Sequence, residues 1–158
     1  MSTTLSHILL PENIVLDLEV SSKKRVFEQA GLIFENNCGI SRSLVTDNLF
    51  ARESLGSTGL GYGVAVPHGR IEGLKTPHAA FVRLATPVPF ESPDKKPVNL
   101  LFFLLMPQNV TQQHLEILSE IAAMFSDSQC RNALTNETDK ERIYNIVTCW
   151  KPGQPLPS

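Results

Sequence analysis

The segment GSTGLGYGVAVPHGR, Gly56 to Arg70, sets a serine and a threonine among glycines and ends on a histidine held between proline and glycine. Four of the chain's nine glycines fall before Gly69 in this stretch. Arg52 stands four residues upstream of Gly56, and a second histidine, His114, precedes a run of leucines and isoleucines. A neutral imidazole is a good nucleophile near its ordinary pKa of about 6.5. A phosphoryl group placed on it needs donors for a dianion, and glycine-loop amides and a guanidinium supply them. The residue types therefore fit transient phosphorylation of His68, with Arg52, Ser57, Thr58, Gly59 and Gly61 around the anion.

The loop is not a nucleotide cradle. A P-loop needs lysine and then serine or threonine entering a helix, and neither follows Gly63. A dinucleotide fingerprint follows a strand and opens a helix, whereas these glycines follow a helical pattern and open a strand. Taken alone, the glycines also suit a plain connection that exploits positive φ and close packing. The histidine, arginine and hydroxyl pair at the same loop tip the balance toward an anion site. A metal site built from His68, His114 and His78 is an alternative of another class, without HxH or HExxH spacing behind it.

The elements that must position these groups follow from periodicity. Ser21 or Ser22 caps a helix to about Asn36, with Val26, Ala30 and Ile33 inward and NNCG as the stop; its first turn is basic, against the helix dipole. A second helix runs from after Ser41 to about Glu53, burying Val45 and Leu49 and carrying Arg52 in its last turn. VAVP before His68 and Ala79 to Leu84 are short strands, TPVPFESPDKKP is a surface connection, and Val98 to Met106 is a strand buried on both faces. A four-turn helix follows, with Leu115, Leu118, Ala122 and Phe125 on one face and Ile117, Ile121 and Met124 beside them. Thr111 caps it, placing His114 in the first turn and pointing inward. Thr138 and Glu141 have capping-box spacing ahead of a last helix over Ile143, Ile146 and Val147.

Composition bounds the rest. With 158 residues and 42% hydrophobic content the chain fills one core. Fourteen basic against sixteen acidic residues, intermixed, leave no electrostatic footprint for nucleic acid. The nine-residue apolar run is far below the roughly 20 residues of a membrane span, so no membrane insertion is expected. The first twenty residues lack a signal peptide's basic start, and Cys38, Cys130 and Cys149 form no CxxC pair, which fits a cytoplasmic protein. The reading is one α/β domain over residues 1–150, a mixed sheet flanked by helices, and a flexible tail over 151–158.

Together, ARESLGSTGLGYGVAVPHGR and the later HLEILSEIA resemble the enzyme IIA domains of the phosphoenolpyruvate-dependent phosphotransferase system, in the fructose, mannitol and nitrogen-regulatory group, nearest the nitrogen-regulatory branch. The resemblance runs from about Leu5 to Val147. It implies a mixed sheet with helices on both faces, a phosphoryl group accepted by His68 from an HPr-type carrier, Arg52 holding the phosphate, and His114 sharing the site. It implies no cofactor. The partners it implies are the HPr-type donor and either regulatory target proteins or a IIB domain; Tyr62 stands where relatives often carry a small polar residue such as asparagine.

Overall fold

The computed structural model describes residues 5–156. Along them run α1 (Leu5–Ile8), β1 (Leu9–Leu18), α2 (Lys23–Cys38), α3 (Arg42–Glu53), β2 (Gly59–Gly61), β3 (Val64–Ala65), β4 (His68–Ile71), β5 (His78–Val88), β6 (Val98–Pro107), α4 (Gln112–Phe125), α5 (Ser128–Asn136) and α6 (Lys140–Cys149). The strands form one mixed sheet in the order β1-β5-β6-β3-β2, with β4 also paired to β6. β5 and β6 are antiparallel, whereas β1 is parallel to β5, and β3 and β4 are parallel to β6.

β6 is the spine because its nearly unbroken apolar run lets both pleat faces be buried. Leu100, Phe102, Leu104 and Met106 join a core with Ile117, Ile121, Met124, Cys130, Leu134, Ile143 and Ile146. Leu101, Phe103 and Leu105 join a second core with Val26, Phe27, Phe34, Val45 and Leu49. So α2 and α3 cover one face and α4 to α6 the other. Each fully buried Leu or Phe contributes about 1.5–3 kcal/mol, which is why the longest hydrophobic run occupies the centre.

Local chemistry sets the helix ends. The Ser22 hydroxyl accepts from the Arg25 N–H at 3.2 Å, and Gly39, at φ +70°, donates its N–H back to Glu35 O as the left-handed stop of α2. Thr111 caps α4 as expected, in a reciprocal arrangement with His114.

Several expectations need correction. The sequence pattern does not signal β1, because Pro11 and scattered charges break it; as an edge strand with a register irregularity between Leu9 and Ile14, it accommodates the proline. Periodicity does not signal α5 either, since its apolar residues are only Cys130, Ala133 and Leu134. β5 extends through Val88, three residues into the expected connection. α6 is capped by Asp139, whose carboxylate accepts from the Glu141 N–H, and not by Thr138. On α4 the core face is Ile117, Ile121, Met124 and Phe125, while Leu115 is 47% exposed. Leu118 packs against that core from its edge, while Leu115 and Ala122 lie outside it.

Candidate functional site

The segment from Val64 to Ile71 is a single extended run along β6, broken at Val66 and Pro67. Val64 and Ala65 register with Leu100 and Leu101, and His68 to Ile71 with Leu104 to Pro107. Proline cannot donate to the ladder, yet its carbonyl still accepts from the Leu104 N–H at 3.0 Å, so the strand resumes in register at His68. The break leaves Val66 O beside the imidazole. His68 Nδ1 lies 2.9 Å from that oxygen. A carbonyl only accepts, so Nδ1 carries the hydrogen and, in the neutral ring, the lone pair is on Nε2.

His68 is half-buried, and its pKa lies below the ordinary value of 6.5. Burial is the main cause; the Val66 hydrogen bond opposes it, the Arg52 charge lowers the pKa further, and the Glu53 carboxylate raises it. At neutral pH the imidazole is therefore uncharged.

Arg52 reaches the histidine because α3 packs tightly on β4. Gly69 sits against Asn48, where an added Cβ would lie 3.4 Å from the Asn48 Cβ. One turn on from Asn48, the same helix face carries Arg52. Both Arg52 and His68 line a cleft of about 430 Å3 with Ala51, Leu55, Arg70, Met106, Leu115 and Leu118. They also share a recess of about 250 Å3 with Ser57, Thr58, Gly59, Leu60, Leu118 and Ala122. The guanidinium Nη1 donates to Gly56 O at 2.8 Å, which leaves its other N–H groups for an incoming anion.

The glycine loop is tied up internally more than its composition implied. Thr58 Oγ1 donates to Glu53 Oε1 at 2.7 Å, and the Thr58 N–H donates to the same carboxylate at 3.1 Å. Ser57 Oγ donates to Phe90 O at 2.8 Å and accepts from the Gly59 N–H at 3.1 Å. Both hydroxyls thus hold the loop's shape. Gly61 pairs with Val64 in the β2–β3 hairpin, faces Asp94, and lines neither cavity containing His68.

His114 lies at the third helical position of α4, half-exposed, with its ring folded back on the helix start. Its Nδ1 accepts from the Thr111 N–H at 3.1 Å, so the neutral ring carries its hydrogen on Nε2. Its neighbour Leu115 lines the cleft; the His114 ring is not among the residues lining either cavity. Tyr62 takes a left-handed conformation at φ +58° in the β2–β3 turn, is 74% exposed, and has the Arg131 guanidinium 4.4 Å from its ring centre. Among the described residues no group of three or more His, Cys, Asp or Glu is placed to hold a metal, which leaves the three-histidine alternative without support.

Sequence reasoning missed Glu53, Arg70 and the apolar walls. Strand alternation carried the signal for Arg70, two residues beyond His68 on the same pleat face. For Glu53 there was none, since a carboxylate beside a helix end reads as solvated surface.

The family model of the phosphoenolpyruvate-dependent sugar phosphotransferase system, EIIA 2, matches residues 7–149. The chain belongs to this EIIA 2 family. It is 41% identical over 151 residues to a nitrogen regulatory protein of Pseudomonas aeruginosa, covering 95% of this chain and 98% of that one. Its fold matches the crystal structure of the nitrogen regulatory protein IIA-Ntr from Neisseria meningitidis with a TM-score of 0.89 and 49% identity, covering 92% of this chain and all of that one. The IIA in a complex of enzyme IIA mannitol with phosphorylated enzyme IIB mannitol from Escherichia coli shares the fold at a TM-score of 0.67 and 20% identity, covering 84% of this chain and 93% of that one. Among the described residues no helix of this EIIA 2 chain is long and apolar enough to cross a membrane.

Proposed function

We propose that this EIIA 2 protein carries a phosphoryl group on His68 Nε2, taken from the phosphohistidine of an HPr-type carrier, and that its phosphorylation state regulates partner proteins of nitrogen metabolism. The observation that carries the chemistry is the Nδ1 contact with Val66 O, which orients the ring and frees Nε2. The regulatory assignment rests on near-full-length identity to nitrogen regulatory proteins.

In the transfer, the Nε2 lone pair attacks phosphorus in line. The new N–P bond forms as the donor's N–P bond breaks, and the donor nitrogen keeps that electron pair. Little covalent assistance is needed, so positioning and charge stabilisation carry the rate. Arg52 neutralises charge on the equatorial oxygens, and Arg70 adds a second cation at the cleft wall. His114 is assigned a supporting role as a neutral Nε2–H donor. The apolar wall formed by Leu55, Leu115, Leu118 and Met106 is where the donor's surface seats and excludes water.

Incubation with phosphoenolpyruvate, enzyme I and an HPr-type carrier should give one acid-labile, base-stable phosphoryl group per chain, assigned to Nε2 by nitrogen-15 NMR. His68→Ala should take none. Undiminished labelling of the alanine variant would overturn the assignment. Passage of the label to a IIB domain would reveal a sugar-transfer role, the alternative reading, whereas phosphorylation-dependent binding of regulatory proteins without such passage supports the one proposed.

A further inference from the structure

The basic first turn of α2 runs against the helix dipole, and the function described so far leaves it unexplained. Lys23 Nζ lies 2.6 Å from Glu53 Oε2, donates to Phe90 O at 3.4 Å, and sits 4.5 Å from the centre of the Phe90 ring. Its side chain is 17% exposed and that of Glu53 only 5%. The lysine stands at the start of α2 because that is the point from which its ammonium reaches the end of α3.

Glu53 is a buried carboxylate next to Arg52 in sequence, closed in by Lys23 and by both donors of Thr58. Ser57 Oγ shares the Phe90 carbonyl with Lys23. The turn from Ser54 to Thr58 is thereby held from both sides, and in its middle lies Gly56 O, the acceptor that aligns the Arg52 guanidinium. An unbroken chain of contacts runs from Lys23 to Glu53, from the Glu53 carbonyl to the Gly56 N–H at 3.1 Å, and from Gly56 O to Arg52 in the histidine cleft.

We infer that the Lys23–Glu53 pair is a positioning device that sets how tightly His68 holds its phosphoryl group: the pair orders the loop that aligns Arg52, and the Glu53 charge opposes the attraction that Arg52 exerts. This deepens, and rests on, the phosphoryl-carrier reading above. A fixed negative charge close to the ring raises His68's basicity and repels an arriving phosphoryl dianion, while Arg52 does the reverse on both counts. A carrier with Arg52 alone would bind its cargo more tightly and release it more slowly. Among the described residues, the other charged group lining the cleft with His68 is Arg70 from β4.

The test compares Glu53→Gln, Lys23→Met and the double variant with the parent chain. Two quantities are read: the pKa of His68 by NMR titration of the unphosphorylated protein, and the equilibrium distribution of phosphoryl groups between an HPr-type donor and this protein. Glu53→Gln keeps an oxygen for the Thr58 donors but removes the charge. It should lower the His68 pKa and move the equilibrium toward the phosphorylated form by on the order of three- to tenfold. Lys23→Met leaves the carboxylate uncompensated and should move both quantities the other way. The double variant removes both charges and should move both quantities in the Glu53→Gln direction, by a smaller amount.

A purely structural role would move the two single variants in the same direction, and that outcome, or an unchanged equilibrium in folded Glu53→Gln, overturns the inference. Should Glu53→Gln fail to fold, Lys23→Met and the double variant decide by the same signs. If the parent chain accepts no phosphoryl group, the carrier reading fails, and opposite pKa shifts would still establish the charge balance at His68.

Discussion

His68 Nδ1 lies 2.9 Å from the carbonyl oxygen of Val66, two residues back along the same chain. The contact exists because Pro67 interrupts the strand and turns the Val66 carbonyl away from β6. It fixes the tautomer, and so decides which ring nitrogen of the neutral imidazole carries the lone pair.

The first prediction is a pH dependence. Burial holds the His68 pKa below 6.5, and burial lowers that of His78 as well. For each ring the unfolded chain binds a proton more readily than the folded one, so stability falls as pH drops through about 6.5 and toward the depressed folded values. NMR titration should show His68 neutral at pH 6.5, with phosphoryl acceptance declining only below that. A midpoint at or above 6.5 would contradict the burial argument.

Arg52→Ala removes a preorganised cation from the cleft. Loss of one such donor costs roughly 2–4 kcal/mol of transition-state stabilisation, or about 10²–10³ in transfer rate. Rapid-quench transfer from a labelled donor measures it. A loss under threefold, with the fold intact by circular dichroism, would remove Arg52 from the machinery.

Leu55 is 83% exposed at the cleft wall. Leu55→Asp should change stability by no more than about 0.5 kcal/mol while raising KM for the protein donor and leaving the hydrolysis rate of phosphorylated His68 unchanged. An unaltered KM would mean the donor docks elsewhere.

Gly59 is constrained by proximity. A Cβ there would fall 2.3 Å from Ser92 Oγ and 3.2 Å from Ser92 Cα. Gly59→Ala should destabilise the chain by about 1–3 kcal/mol, with Ser92→Gly restoring part of it in thermal melts. Ser92→Ala alone should be neutral or stabilising, because the buried Oγ has no partner among the described residues.

Arg83 is a buried cation on β5 that pairs with Asp17 and donates to the carbonyls of Leu134 and Glu137. It ties the end of α5 to the sheet. Arg83→Met should cost about 2–4 kcal/mol in urea unfolding. Because the site lies elsewhere on the sheet, His68 labelling of the folded protein should persist. Full stability in the variant would show that this tie is dispensable.

How far the sequence could be read varies with how local the cause is. The α2 and α3 helices were legible because Ser22, Gly39 and the spacing of Val45 and Leu49 act within one or two turns. β6 was legible because its run is too apolar for any surface. β1 and α5 were not, since an edge strand with a proline and a short polar helix take their form from what they pack against. The α4 face was misjudged for a related reason: its apolar stripe is wide enough to serve both the core and the cleft, and only packing divides Ile117 from Leu115.

The candidate site divides in the same way. His68, Arg52 and the glycine loop stand out because chemistry restricts which residue types serve an anion, and the PHGR and STG segments keep them close along the chain. The tertiary structure alone decided the hydrogen-bond partners of Ser57 and Thr58, whose hydroxyls turn inward to Phe90 and Glu53, and it alone joined Lys23 to a carboxylate thirty residues away. Residue type and local spacing are written in the chain, but the partner of a polar group is set by which surfaces the two cores bring into contact.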